Sequence, residues 1–150
     1  MNLKDIMSKK IIACENTNTI IEISKTMKEN DIGFIPIVKN KKIIGVITDR
    51  DIVTKIISNN DLNGDITNYM TKDIIDVPIN SDLNYVLGIM KKYKVKRVII
   101  TDNNKAVGIV SLSDFLNSNI EKEVFKTIKE IFEIGPNIHK YESQIDDFYL

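Results

Sequence analysis

Two pairs of side chains in the sequence combine a hydroxyl with a carboxylate three residues later. Thr48 precedes Asp51, Ser111 precedes Asp114, and the second pair follows the first by 63 positions. A hydroxyl at the end of a strand and a carboxylate in the first turn of the next helix point at one spot, beside N–H groups that a helix start leaves free. Carboxylates accept hydrogen bonds from sugar hydroxyls, and hydroxyls donate to phosphate. Each pair therefore suits a ribose phosphate.

The same residues have a purely structural interpretation. A first-turn aspartate can satisfy backbone donors at a helix start, which stabilises a protein by roughly 0.5–2 kcal/mol. Thr48 and Ser111 share this alternative with Asp51 and Asp114. The sequence alone leaves both interpretations open.

Three cations are candidates for contacting a phosphate, with a solvated surface position as the alternative for each. Arg50 lies inside the first pair, whereas the matching position of the second pair is Ser113, so the two sites are not equivalent. Lys96 and Arg97 precede a predicted strand, and the sequence does not show which site they serve. Guanidinium and ammonium groups both complement phosphate oxygens.

Other residue types give no catalytic or metal-binding arrangement. The single cysteine, Cys14, and the single histidine, His139, lie far apart in unlike segments, and no glycine-rich phosphate loop occurs. We expect no catalytic residues, no metal site and no cofactor, and we expect Cys14 to be a small core residue. The sequence favours a binding module over an enzyme.

The elements that position these pairs are duplicated. One shift of 63 positions aligns hydrophobic, glycine and acidic positions throughout the first 118 residues, including Met7 with Met70, Met27 with Met90, Gly45 with Gly108 and Asp51 with Asp114. Both glycines are expected to serve backbone geometry after a hairpin turn. Residues 1–60 and 61–118 are therefore predicted to be two repeats.

Each repeat has the pattern of a β-α-β-β-α unit. The first strands are predicted at 11–13 and 74–77, after which polar residues at 16–19 and 80–82 can cap a helix. Two apolar runs joined by a polar turn predict a hairpin in each repeat, at 34–48 and 96–111. A final helix is expected to begin at Asp49 or Arg50 in the first repeat and at Ser113 or Asp114 in the second. Because a three-stranded sheet cannot cover both of its faces, we expect an α/β (α+β) fold in which the repeats pack with pseudo-twofold symmetry.

Residues 119–150 lie outside the repeats and predict a C-terminal amphipathic helix. Its apolar positions recur at helical spacing, at Ile120, Val124, Phe125, Ile128, Ile131 and Phe132. Gly135 and Pro136 end this pattern, and a further helical turn is predicted near 138–148. The helix either packs back on the repeats or forms a dimerisation or partner-docking element.

The closing segments of both repeats, Gly45 to Ile52 and Gly108 to Phe115, resemble the signature of cystathionine-β-synthase (CBS) domains, which runs glycine, two apolar residues, Thr or Ser, two variable residues and Asp. The strand 33–38 resembles the apolar-Pro-Val strand of that family. The segments Ile6-Met7-Ser8 and Tyr69-Met70-Thr71 resemble its opening. The resemblance covers residues 1–118.

This resemblance implies a regulatory sensor that binds an adenosine-containing ligand in clefts between the repeats: AMP, ADP, ATP, S-adenosylmethionine or a dinucleotide. It assigns Asp51 and Asp114 to ribose, and Thr48 and Ser111 to phosphate. It places adenine between strand starts at Ile12, Ala13, Ile35 and Pro36 in the first repeat and Ile75, Asp76 and Val98 in the second. It also implies a homodimer. A ligand-free scaffold that recruits an unidentified protein is the alternative.

Charge and hydropathy argue against two classes of partner, nucleic acids and membranes. The chain has 150 residues, with 21 basic and 21 acidic side chains, so no net positive field attracts nucleic acid or anionic lipid. Its apolar runs are far shorter than the roughly 20 residues of a membrane-spanning helix, and its start lacks the pattern of a secretory signal. We therefore expect a cytoplasmic protein without nucleic-acid or membrane contacts.

Overall fold

The computed structural model describes residues 1–132, so the expectations for His139 and for a helical turn at 138–148 lie outside the described part of the chain. The chain forms two compact units. One unit is Lys9–Asp76, and the other combines Met1–Ser8 with the chain from Val77 onward.

The elements repeat in the order that the sequence predicts. The first unit contains β1 (Cys14–Glu15), α2 (Ile20–Asn30), β2 (Phe34–Lys39), β3 (Lys42–Thr48) and α3 (Asp49–Asp51), after the short helix α1 (Leu3–Ile6) of the other unit. Helix α3 continues as a π-helical turn, Ile52–Ile56, and a 3-10 turn, Ile57–Asn59. A 3-10 turn, Ile66–Asn68, precedes β4 (Asp76–Pro78), α4 (Leu83–Tyr93), β5 (Arg97–Asp102), β6 (Lys105–Ser111), a 3-10 segment (Leu112–Asn117) and α5 (Glu121–Ile131).

Each repeat builds a three-stranded sheet with the same topology. Strand β1 pairs in parallel with β2, which pairs antiparallel with β3, and the second sheet has the order β4, β5, β6. The hairpin turns match the expectation from their polar residues, because Asn40, Lys41, Asn103 and Asn104 all have positive φ, as a type I′ turn requires. The hairpins predicted from the apolar runs are confirmed.

The helices bury the predicted apolar stripes. Thr19 caps α2 and accepts a hydrogen bond from the Glu22 amide, while Asp82 caps α4. Their buried side chains are Ile20, Ile23 and Met27 in α2 and Leu83, Val86, Leu87 and Met90 in α4. Cys14 lies in the core of the first unit, which confirms its predicted place.

Three boundaries differ from the prediction. β1 lies wholly after the predicted strand 11–13, because Cys14 is the first residue that pairs with β2, and β4 begins two residues later than predicted, at Asp76. The closing element of the second repeat is a 3-10 segment that begins at Leu112, before the expected Ser113. That segment ends at Ser118, whose buried hydroxyl donates to the carbonyl oxygen of Phe115 at 2.5 Å.

Helix α5 packs against α4 and the segment Leu112–Asn117, as one of the two predicted alternatives requires. Val124 is buried on this face, and Lys91 of α4 pairs with Glu130 at 3.1 Å. Phe125 does not belong to the buried stripe, since its side chain is 61% exposed. It follows Val124 by one position and therefore points about 100° away around the helix.

The opening segment of each sequence repeat pairs with the closing strand of the other repeat. Val46 of β3 exchanges two backbone hydrogen bonds with Thr71, at 2.9 and 2.8 Å. Ser8 exchanges two with Ile109 of β6, at 2.9 and 3.0 Å. The segment that opens the first sequence repeat thus belongs to the unit that holds the second hairpin. Thr71, which opens the second repeat, belongs to the unit that holds the first hairpin.

Gly45 and Gly108 make this approach possible. A Cβ on Gly45 would lie 2.6 Å from Sδ of Met70 and 2.9 Å from the carbonyl oxygen of Thr71. A Cβ on Gly108 would lie 2.8 Å from the carbonyl oxygen of Ser8. Neither glycine has a positive φ, so the expectation that they serve backbone geometry after the turn is wrong. They are required for close packing.

We predict that Gly45→Ala and Gly108→Ala each lower the free energy of unfolding by about 1–3 kcal/mol, because the new methyl group meets backbone that cannot turn aside. Gly88→Ala in α4 is the control, since a Cβ there meets nothing within 4 Å. It should raise stability by about 0.5–1 kcal/mol through helix propensity. Urea denaturation measures all three, and equal stability of Gly45→Ala and wild type would contradict the packing role.

Candidate functional site

Thr48 and Asp51 form a closed hydrogen-bonded pair at the end of β3. The Thr48 amide and hydroxyl donate to Oδ2 of Asp51 at 3.0 and 2.8 Å, and the Asp51 amide donates to the Thr48 hydroxyl at 3.1 Å. This is a capping box that begins α3. The pair therefore fulfils the structural role that the sequence offered as an alternative, and Oδ1 of Asp51 is left for another partner.

Lys55 contacts that second oxygen. Its Nζ lies 2.7 Å from Oδ1 of Asp51, with the lysine side chain 48% exposed and the carboxyl largely covered. Burial raises the pKa of Asp51, but hydrogen bonds from Lys55 and Thr48 outweigh burial and hold that pKa below its ordinary value. Asp51 is thus an anion at neutral pH. A ligand hydroxyl would either share Oδ1 with Lys55 or displace this exposed lysine from it.

Ser111 and Asp114 repeat the arrangement without the lysine. The Ser111 amide and hydroxyl donate to Oδ2 of Asp114 at 2.7 and 2.8 Å, and the Ser111 and Ser113 hydroxyls lie 2.7 Å apart. The residue that matches Lys55 is Ser118, whose hydroxyl is turned to Phe115. Within residues 1–132, Oδ1 of Asp114 has no hydrogen-bond partner.

The backbone amides at the start of α3 are not free, contrary to the expectation from sequence. The Asp49 amide donates to the carbonyl oxygen of Gly33 at 3.1 Å, and the Arg50 amide donates to the Asp49 carboxylate at 2.8 Å. The Asp51 amide is used by Thr48. An anion at this repeat would therefore depend on side chains such as the exposed Arg50.

Lys96 and Arg97 lie in the second repeat, beside Ser111. Both side chains are exposed and border a cavity of about 250 Å³. The cavity also has a hydroxyl edge and an apolar wall; its lining residues are Lys96, Arg97, Ser111, Leu112, Ser113, Leu116, Ile128 and Phe132. Two cations and two hydroxyls beside apolar side chains suit an anionic group attached to an apolar one.

The first repeat carries the opposite charge at the equivalent place. Gly33 matches Lys96 in the sequence, and the Asp49 carboxylate lies where a side chain on Gly33 would be, with Oδ2 2.5 Å from an added Cβ. The second repeat has Leu112 in place of Asp49. A carboxylate in the first repeat thus lies beside the backbone position that carries a lysine in the second.

The residues predicted to hold adenine differ in accessibility. Ile35, Pro36 and Val98 are buried, Ile12 and Ile75 are half-buried, and Ala13 and Asp76 are exposed. Only the last four present surface that a planar base could touch. Their assignment to adenine stays a prediction.

Sequence reasoning missed Lys55 and the contribution of α5 to the cavity. Lys55 follows Asp51 by four positions, the spacing of a helical ion pair, which was the available signal. Ile128 and Phe132 were predicted as part of an apolar stripe, but no pattern in the sequence connects that stripe to Lys96. Among residues 1–132, no cluster of three or more His, Cys, Asp or Glu side chains could hold a metal ion. No helix in this range combines the length and hydropathy of a membrane span.

Comparison with known proteins identifies the repeats. The CBS domain model matches residues 3–58 and again residues 64–121. An uncharacterized 17.7 kDa protein of Acidianus ambivalens is 31% identical, with 88% of this chain and 81% of that protein covered. The uncharacterized protein YlbB of Bacillus subtilis is 29% identical, with 87% of this chain and 91% of that protein covered.

A solved structure agrees with both fold and sequence. The CBS domain pair of protein MJ0100, in complex with 5′-methylthioadenosine and S-adenosyl-L-methionine, superimposes with a TM-score of 0.70 and 31% identity. The match covers 77% of this chain and 96% of that pair. With two matched domains, two sheets of one topology and two hydroxyl–carboxylate pairs in one register, this chain belongs to the CBS domain family as a tandem pair.

Proposed function

We propose that the chain is a regulatory module that binds adenosine-containing ligands and has no catalytic activity of its own. One observation carries the proposal: Ser111, hydrogen-bonded to Asp114, lines a cavity that also contains Lys96 and Arg97. A carboxylate that can accept from a sugar hydroxyl thus lies one hydrogen bond away from a cavity that carries two cations. The adenosine compounds bound by the CBS pair of MJ0100 support an adenosine ligand.

In this proposal the carboxylates have two roles at once. Oδ2 of Asp51 and of Asp114 holds the capping box, and Oδ1 accepts from ribose hydroxyls. Thr48 and Ser111 orient the carboxylates and lie next to the phosphate. Regulation follows if the ligand has different affinities for two arrangements of the module, because a ligand shifts a conformational equilibrium only by that difference.

The two repeats are proposed to differ in ligand charge. The second repeat offers Lys96 and Arg97 and suits AMP, ADP or ATP, whereas Asp49 in the first repeat disfavours a phosphate at the equivalent place. A neutral or cationic compound such as adenosine or S-adenosylmethionine suits the first repeat better.

The basic test is a thermal-shift screen with AMP, ADP, ATP, adenosine and S-adenosylmethionine. A ligand at a hundredfold excess over its Kd stabilises the folded state by about 2.7 kcal/mol, which is readily measured. If no compound moves Tm at millimolar concentration, the module is a ligand-free scaffold and the proposal fails.

We predict that Asp51→Ala and Asp114→Ala each remove one binding event in calorimetry, with affinity at the altered repeat lowered roughly 10- to 100-fold. Each variant also loses a cap, which costs about 1 kcal/mol of stability. Asp65→Ala is the matched control, because Asp65 caps a turn through Thr67 outside the signature. It should lose stability but keep full stoichiometry. Unchanged stoichiometry in both test variants would remove the ribose role.

We predict that Arg97→Gln weakens ATP binding about three- to tenfold and leaves adenosine binding unchanged, since the lost guanidinium contacts only the phosphates. Lys126→Gln is the control, because this exposed lysine of α5 does not line the cavity. The ATP affinity of wild type should also fall with added salt. An equal effect of Arg97→Gln on ATP and adenosine would contradict a phosphate contact.

We further propose that the module is a homodimer that uses the helical segment after Asp51. Val53 and Ile57 lie four positions apart on that segment and are 57% and 52% exposed, so they present a pair of apolar side chains on one face. The homodimer implied by the family resemblance gives this surface an occupant, a second copy of the chain.

We predict that the double variant Val53→Glu, Ile57→Glu sediments as a monomer under conditions where wild type sediments as a dimer, because burial of two carboxylates is unfavourable. The exposed pair Thr54→Glu, Ser58→Glu on the neighbouring face is the control. A monomeric wild type, or a dimeric test variant, would exclude this interface.

A further inference from the structure

Helix α5 lies beyond the matched CBS domains, yet it forms part of the cavity in the second repeat. The second matched domain ends at residue 121, and α5 runs from Glu121 to Ile131. Ile128 and the adjoining Phe132 line the cavity together with Lys96 and Ser111. The wall they form is thus a property of this chain and not of the repeat.

Lys96 contacts that wall directly. Its Nζ lies 4.2 Å from the centre of the Phe132 ring, well inside the range of a cation–π interaction. The ring covers one side of the ammonium group, so the other N–H bonds face away from the ring and can donate to an anion. A lysine held in this way loses less side-chain freedom on binding than an unrestrained one.

The packing of α5 holds the backbone that carries the ring. Val124 and Thr127 are buried, and Lys91 of α4 pairs with Glu130 two residues before Phe132. The Phe132 amide donates to the carbonyl oxygen of Ile128 at 2.9 Å, which continues the helical hydrogen bonding up to the aromatic residue. The backbone of Phe132 is therefore held at the end of α5, and its ring, 47% exposed, lies against Lys96.

We propose that α5 completes an anion-binding site in the second repeat, in which Phe132 is the positioning residue that holds Lys96 towards a bound phosphate group. The identity of the ligand as a nucleotide rests on the proposed function. The contribution of Phe132 does not, because any phosphate anion in this cavity would use the same ammonium group.

The test uses calorimetric titration of the full chain with AMP and, separately, with inorganic pyrophosphate. Phe132→Ala should weaken both about two- to fivefold, the size expected of a cation–π contact at an accessible site. Phe132→Tyr keeps an aromatic face and should bind like wild type. Phe125→Ala is the matched control, because Phe125 makes the same kind of contact with Lys129, at 4.8 Å, outside the cavity.

A second measurement separates positioning from a general effect on folding. In a Lys96→Ala background, Phe132→Ala should have no further effect on affinity, since the residue it positions is gone. A loss that persists in that background, or Phe132→Ala affinities equal to wild type, overturns the inference. Pyrophosphate binding that depends on Phe132 without any AMP binding supports the inference and refutes the nucleotide function. AMP binding that is insensitive to Phe132 supports the nucleotide function and overturns the inference about Phe132.

Discussion

The position of each site depends on backbone pairing at the outer edge of each hairpin. Strand β3 pairs with β2 on one side only, and its other edge is closed by the two hydrogen bonds between Val46 and Thr71. Ser8 and Ile109 close the edge of β6 in the same way. Unpaired edges are liabilities in small sheets, and here the edge also fixes where each closing strand ends. Thr48 and Ser111 follow that pairing by two residues, so it sets the place of both hydroxyls.

The glycine and the hydroxyl–carboxylate pair of each signature therefore act together to fix the end of one strand and the start of the next helical segment. The glycine lets the opening segment approach, the pairing fixes the strand end, and the capping box turns the chain into the following helical segment. The carboxylate closes the capping box through Oδ2 alone. Its second oxygen is not needed by the cap, so a structural role for Asp51 and Asp114 and a ligand role are compatible. The two interpretations that the sequence leaves open are therefore not exclusive.

Much of this architecture could be predicted because it follows from local patterns. A single register of 63 positions predicts both hairpins, both buried stripes and the matched placement of the two pairs. The pairing of Ser8 with Ile109 could not be predicted, since a repeat pattern does not specify which copy of an opening segment lies against which strand. The occupied amides at α3 were also missed, because the acceptor of the Asp49 amide is a carbonyl oxygen distant in sequence. The sequence places Phe125 in the stripe because apolar residues at adjacent positions, here Val124 and Phe125, leave the buried face ambiguous by about one-third of a turn.

The two repeats share a backbone frame, by which we mean the hydrogen bonds that position the strand ends, and they differ in the side chains around it. The backbone contacts that position the two strand ends recur with residue numbers shifted by 63: the pairing of Val46 recurs at Ile109, and the bond from Asp49 to Gly33 recurs from Leu112 to Lys96. The side chains around that frame do not recur: Asp49 faces Gly33 in one repeat, and Leu112 accompanies Lys96 in the other. Lys55 is present on one carboxylate and absent from its equivalent. Because the frame constrains these positions so little, they are free to differ in charge, and duplication of the domain allows two sites of unlike charge without a change of fold.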